Sequence, residues 1–219
     1  YSNGAIVVGE QGSFLYQATH SSDTVIKCME WIINRTKAGH SRGVPVLVVG
    51  DEYWVMDKTS KWDMHLHVDY HDLAPHQLDE DWRTQVKGMK VSMLHCISPE
   101  EELADGRCED VRAELQSIAG ADAHAYKTLP TAMTLSVKGV SKAHGLSKLF
   151  ELSPHLKLSL DDVIGIGDSG NDLEMVKECK VGVCMKNATD PVKAVADVET
   201  DFNYELGVAK ILNLVSELQ

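Results

Sequence analysis

The spacing of apolar and polar positions divides this chain into two regimes. Near the start, Ala5-Ile6-Val7-Val8 is a short apolar run between Gly4 and Gly9 and reads as a strand. Val25, Ile26, Met29, Ile32 and Ile33 then recur at helical spacing, which predicts a helix over 23–37 capped by Ser22 or Asp23. Apolar stretches at 44–49 and 53–56 flank the turn signal Gly50-Asp51 and predict a hairpin. Residues 87–97 read as a further strand. Pro99 opens a predicted helix reaching to about 118, weakened in its middle by Gly106, and 123–129 and 131–137 read as extended. From Ser141 the regime changes. Predicted helices at 141–152, 171–179, 191–195 and 204–218 alternate with strands at 163–166 and 181–185. Those two strands are short and almost wholly apolar, as strands are when a parallel sheet is covered by helices on both faces. The fold class is therefore α/β, with a core from 132 onward and a separate α+β unit over 10–131.

Composition narrows the partners. With 21 basic and 33 acidic residues the net charge is −12. That argues against nucleic acid, which needs a basic surface, and suits a site that holds a divalent cation on anionic oxygens. The five cysteines are odd in number and form no C-x-x-C pair, which points to a reducing, cytoplasmic setting rather than to disulfides or structural zinc. No apolar run reaches ~18 residues, so no membrane span is predicted. The first residue is Tyr1, with no signal-peptide pattern, and the natural N-terminus is expected upstream.

The chemistry concentrates in Asp162-Val163-Ile164-Gly165-Ile166-Gly167-Asp168-Ser169-Gly170-Asn171-Asp172, where an apolar strand ends in a small-residue loop and a helix begins at once. In open α/β sheets ligands bind beyond the carboxyl ends of the strands. Asp168 lies just past such an end, Asp172 one turn further on the same face, and Asn171 in the first turn with an amide able to reach an anion. Two carboxylates and an amide at a helix N-terminus suit Mg²⁺ beside a phosphate. Three other readings compete. Gly165, Gly167 and Gly170 spell G-x-G-x-x-G, a weak dinucleotide-binding match that would set the Asp168 carboxylate against a pyrophosphate. An EF-hand loop counted from Asp168 fails, because its sixth residue is Leu173 and its twelfth Cys179. Finally, Asp168 and Asp172 can simply cap the helix.

Gly167-Asp168-Ser169-Gly170-Asn171-Asp172-Leu173-Glu174-Met175 resembles the fourth motif of the Cof-type, large-cap phosphatases of the haloacid dehalogenase superfamily. Val183-Cys184-Met185-Lys186-Asn187-Ala188, Val192-Lys193-Ala194-Val195-Ala196-Asp197 and Gly207-Val208-Ala209 look like that family's later landmarks, in order. Upstream, Val137-Lys138-Gly139-Val140-Ser141-Lys142 resembles the third motif, and Ser2-Asn3-Gly4-Ala5 the turn leading into the cap. The resemblance implies a Rossmann-like core from 1–9 and 132–219 and an inserted α+β cap over 10–131. It implies a Mg²⁺-dependent hydrolase of small phosphate monoesters, such as sugar phosphates, working through a phosphoaspartate. By position, Asp168 would be a Mg²⁺ ligand and Asn171 would touch the substrate phosphate. Asp172 would be an orienting group or occasional ligand, and Lys142 would pair with both nucleophile and phosphate.

The sequence departs from the family at one point. No D-x-D-x-T nucleophile segment follows an apolar strand; Asp79-Glu80-Asp81 has the spacing but lies in the cap region behind a polar stretch. The nucleophile is expected upstream of Tyr1, so this chain alone is expected to be inactive and the full-length protein active. A non-catalytic phosphate- or metal-binding relative is the alternative. Within the cap region, His65, His67, His71 and His76 are read as a half-exposed strand and loop with outward histidines, rather than as a zinc or copper site.

Overall fold

A computed structural model describes residues 1–217, in two units: Tyr1–Ile6 with Gln17–Gly139, and Val7–Tyr16 with Val140 onward. Strands β1 (Ile6–Val8) and β2 (Phe14–Gln17) pair as a two-stranded sheet. The sequence pattern did not anticipate β2, whose Phe14 and Leu15 are exposed and lack the alternation of a strand with one buried face.

The larger unit is built on a six-stranded sheet. Helix α1 (Ser22–Lys37) is capped one residue earlier than expected, by Ser21, whose hydroxyl accepts from the Thr24 amide at 3.1 Å. Strands β3 (Val44–Val49) and β4 (Glu52–Val55) form the expected antiparallel hairpin, with Leu47 opposite Trp54. Next come α2 (His65–Tyr70), β5 (His76–Gln77), α3 (Trp82–Lys87), β6 (Val91–Ile97), α4 (Asp105–Ala119), β7 (Ala123–Leu129) and β8 (Ala132–Val137). The strand order is β5-β4-β3-β6-β8-β7, antiparallel throughout except for the β4–β5 pair. All seven residues of β6 are buried. The two-residue period of a strand divides the apolar side chains between the two faces. Leu47 and Leu94 join Met29 and Ile32 of α1 and Leu115 of α4 in one cluster. Val46, Val55, Ile97 and Ala132 form a second, smaller cluster with Leu66 of α2.

Three expectations change here. Residues 65–70 are helical, not a strand, because burying Leu66 against the second cluster outweighs the weak local preference of a polar stretch; His71, left-handed at φ 58, ends the helix. The segment at 82–87 is α3, which buries Trp82 and Val86 at i and i+4, so β6 starts only at Val91. The helix after Pro99 is a 3₁₀ turn, Glu100–Glu102, followed by α4, which puts Gly106 in a first turn, where its low helix propensity costs least. The histidines are individually held. His65 is buried, with Nδ1 at 2.5 Å from the Asp69 carboxylate and Nε2 at 2.8 Å from the Thr131 hydroxyl. His67 Nδ1 donates to the Asp72 carbonyl at 2.6 Å, and His76 stacks on Trp54 at 4.8 Å.

The smaller unit alternates as expected. Helix α5 (Lys142–Leu152) is capped by Ser141, which accepts from the His144 amide. It is followed by β9 (Ile164–Gly167), α6 (Leu173–Glu178), β10 (Val181–Cys184), α7 (Asp190–Lys193), β11 (Val198–Glu199) and α8 (Gly207–Glu217). The three strands form a parallel sheet in the order β11-β10-β9, with Val183 opposite both Ile166 and Val198. Val176, Cys184, Ala188 and Val192 make its core. Among the described residues β9 pairs only with β10, and Ile164 at its start is 38% exposed. A Cβ on Gly182 would stand 1.9 Å from the Val176 carbonyl oxygen, and one on Gly167 2.2 Å from Asp172 Cβ. These glycines let α6 lie directly on the strands, which is a packing reason for small residues here. Among the described residues all five cysteines are unpaired, and no helix is long and apolar enough to cross a membrane.

Candidate active site

Four of the residues singled out by sequence come together at the carboxyl ends of β9 and β10. β9 ends at Gly167; Asp168 and Ser169 follow, and a 3₁₀ turn, Gly170–Asp172, leads into α6. The turn is closed by Asp172, whose Oδ2 accepts from the backbone amides of Asp168 at 3.1 Å and Ser169 at 3.2 Å. This is the S-x-x-D form of a capping box, with the acidic side chain reaching back to satisfy amides that the turn leaves open. The Ser169 hydroxyl donates to Asn171 Oδ1 at 2.6 Å and so fixes the asparagine amide.

Asp172 is only 4% exposed, and its other oxygen, Oδ1, accepts from Lys142 Nζ at 2.5 Å. Burial alone would raise its pKa. The Lys142 ammonium and the amides of Asp168 and Ser169 outweigh that, so the carboxyl stays below its ordinary value and ionised. Lys142 is the first residue of α5, and Ser141 caps that helix, so the side chain leaves from a fixed backbone position. Among the described residues the partner of the Lys142 ammonium is Asp172. Both oxygens of Asp172 are taken by protein donors. Of the two roles open to it, orienting group or metal ligand, the geometry favours the first.

Asp168 differs. It is half-buried, its Oδ2 accepts from Asn187 Nδ2 at 3.2 Å, and its Oδ1 meets no protein donor among the described residues. Its carbonyl accepts from the Thr189 amide at 2.9 Å, while Met185 N donates to Gly167 O at 3.0 Å, tying the loops after β9 and β10 together. Asn187 is held in turn by the Asn203 amide, which donates to its Oδ1 at 3.1 Å. Sequence reasoning noted Asn187 only as a landmark and passed over Ser169. The Ser169–Asp172 spacing could have revealed the serine, whereas only the parallel pairing of β9 and β10 brings Asn187 to Asp168.

One hard-oxygen carboxylate with an open oxygen fits Mg²⁺, which is often held by one or two carboxylates together with waters and substrate phosphate. Among the described residues no three His, Cys, Asp or Glu side chains gather to form a protein-only cage.

The chain matches the model of the haloacid dehalogenase-like hydrolases over residues 1–212. It belongs to that family. It is 43% identical over 83 residues to the 5-amino-6-(5-phospho-D-ribitylamino)uracil phosphatase YcsE of Bacillus subtilis, a match covering 38% of this chain and 32% of that protein. A phosphoglycolate phosphatase of Methanopyrus kandleri is 40% identical over 83 residues, 38% of this chain and 34% of its own length. The match thus spans about a third of these curated relatives. Among solved structures, a haloacid dehalogenase-like hydrolase from Bacteroides thetaiotaomicron superposes with TM-score 0.76 at 23% identity, over 97% of this chain and 74% of that one. The subclass IIB sugar phosphatase BT4131 superposes with TM-score 0.72 at 21% identity, over 98% and 74%. These likenesses establish the fold, and membership of the family displaces the dinucleotide-binding reading of the glycines.

Proposed function

We propose that this protein is a Mg²⁺-dependent phosphatase of small phosphate monoesters, with sugar phosphates the leading substrate class. The observation that carries the reading is the Lys142–Asp172 ion pair set beside the open oxygen of Asp168 at the ends of parallel strands. The names of the relatives, a ribitylaminouracil phosphatase and a phosphoglycolate phosphatase, support a small phosphorylated metabolite as substrate. Residues 10–131 would serve as the cap and 1–9 with 132–219 as the core. The unpaired thiols support a cytoplasmic setting.

Asp168 would hold the Mg²⁺, and that ion, when bound, offsets the charge on the transferring phosphoryl group. Asp172 keeps the Lys142 ammonium in one direction through a short, charge-assisted hydrogen bond. Lys142, 36% exposed, keeps donors free for a phosphoryl oxygen beyond the one spent on Asp172. Asn171, fixed by Ser169, would offer its amide to the same group. The attacking carboxylate is assigned to no residue of this sequence.

The test is phosphate release from a panel of sugar phosphates, nucleotides and phosphorylated carboxylic acids, by the full-length gene product with Mg²⁺. Turnover of at least one small monoester, abolished by Lys142→Met, supports the reading. Phosphate binding with no release from any of them would favour the non-catalytic alternative.

A further inference from the structure

We propose that the larger unit carries a second ligand site, which takes a small zwitterion of amino-acid size. A cavity of ≈ 180 Å³ opens between α1, the loop into β3 and the start of α4. Sites for drug-sized ligands run to about 300–1,000 Å³, so this one admits only something smaller. It lies wholly within the larger unit. The inference therefore stands whether or not the smaller unit transfers phosphate.

One wall is apolar, from Ile32, Leu103 and Val111, with the Trp31 ring beside them. Ser98 lies on the wall of the cavity, 2% exposed, and its hydroxyl makes no hydrogen bond within the protein among the described residues. Among the same residues His20 Nε2 is the only side-chain nitrogen or oxygen fully sealed without a partner. The Ser98 hydroxyl is therefore not sealed but faces the cavity. A buried hydroxyl normally has a partner, and here the partner comes from the cavity side, from water or from a ligand that displaces it. Cys96 beside it is a neutral thiol, its pKa pushed up to about 12 by burial, and offers no charge.

The charges define the occupant. Glu114 is engaged by Arg35 and by Trp31 Nε1, each at 3.1 Å. Glu102 is engaged by the Ser41 hydroxyl and by Arg42. Arg107 and Asp110 line the same cavity three residues apart on α4, and among the described residues neither makes an ion pair. The cavity thus carries one cation and one anion outside any ion pair among the described residues; Arg107 also acts at longer range on Glu101, and His40 lies on the same lining. A phosphate or a dicarboxylate would face Glu102, Asp110 and Glu114, and a polyamine would face Arg35 and Arg107. A free amino acid avoids both conflicts. Its carboxylate would go to Arg107, its ammonium to Asp110, and an apolar side chain would lie along Ile32, Leu103 and Val111.

Calorimetric titration and thermal melting of the full chain with each proteinogenic L-amino acid in turn test this, with glucose, spermidine and inorganic phosphate as probes of other chemistry. At least one apolar amino acid is expected to raise the melting temperature by a few degrees at about 10 mM. Arg107→Gln and Asp110→Asn, both at exposed positions, should each weaken that binding about tenfold and leave the ligand-free melting temperature in place. Three results would each overturn the proposal: no amino acid binds, both variants bind as the parent does, or a non-zwitterionic probe binds as tightly with the same sensitivity to Arg107 and Asp110.

Discussion

Replacing Lys142 with methionine keeps most of the side-chain length, one atom short, and removes the cation from Asp172. The carboxylate left behind is 4% exposed and retains the amides of Asp168 and Ser169 at 3.1 and 3.2 Å. Removing one member of a fully buried pair costs about 3–5 kcal/mol. Lys142 is 36% exposed, so water replaces part of what it supplied, and about 1–3 kcal/mol is the expected loss near neutral pH. The pH dependence gives the sharper test. In the parent protein the Asp172 pKa is depressed, so its contribution is present above the unfolded value and is lost as pH falls through the folded one. In the variant, burial is opposed only by the two amides and the Ser169 hydroxyl at 3.4 Å, and the folded pKa rises. The variant then escapes its penalty by taking up a proton as the solution is acidified. Urea unfolding of both proteins at about pH 7 and about pH 4 should show the gap closing on acidification. A gap that is independent of pH, or one that widens toward acid, would refute this account of how Asp172 is kept charged.

Two further outcomes follow from the fold. Gly182→Ala should cost about 3 kcal/mol or more, because a Cβ there meets the Val176 carbonyl oxygen at 1.9 Å, whereas Gly170→Ala, with nothing within 4 Å, should fall within about 0.5 kcal/mol of the parent, both read by urea unfolding. His95 is buried, with its pKa lowered to about 4, so it favours the folded state above its unfolded value of about 6.5 and loses that contribution as pH falls toward 4. At about 1.4 kcal/mol per unit this amounts to roughly 3 kcal/mol. His95→Gln should flatten that part of the stability profile, as read by chemical denaturation across the interval.

What the sequence made legible was whatever rests on local spacing. The apolar runs at 163–166 and 181–185 become β9 and β10 nearly in place, because a parallel strand under helices needs little more than a short hydrophobic stretch. The hairpin of β3 and β4 was equally readable from its Gly50-Asp51 turn. Helix α2 was not, since six residues with three of them polar or charged carry no period, and only the cluster around Val46 and Ile97 makes them helical. The site divides in the same way. Asp168, Asn171 and Asp172 sit within five residues and could be read together. The Lys142–Asp172 pair spans 30 residues of sequence, and the Asn187–Asp168 bond joins two loops that only sheet pairing brings side by side. Local spacing also could not separate the two carboxylates. The fold does so, filling both oxygens of Asp172 with protein donors and leaving one of Asp168 open.

That asymmetry between two aspartates four residues apart is the centre of the functional account, and the Mg²⁺ dependence of phosphate release by the full-length protein tests it most directly. Asp168→Asn should raise the Mg²⁺ concentration needed for half-maximal activity by about tenfold or more, while Asp172→Asn should lower turnover with a much smaller change in Mg²⁺ requirement. An Asp168→Asn protein with the parent's Mg²⁺ curve, or a larger shift in that curve from Asp172→Asn, would contradict it.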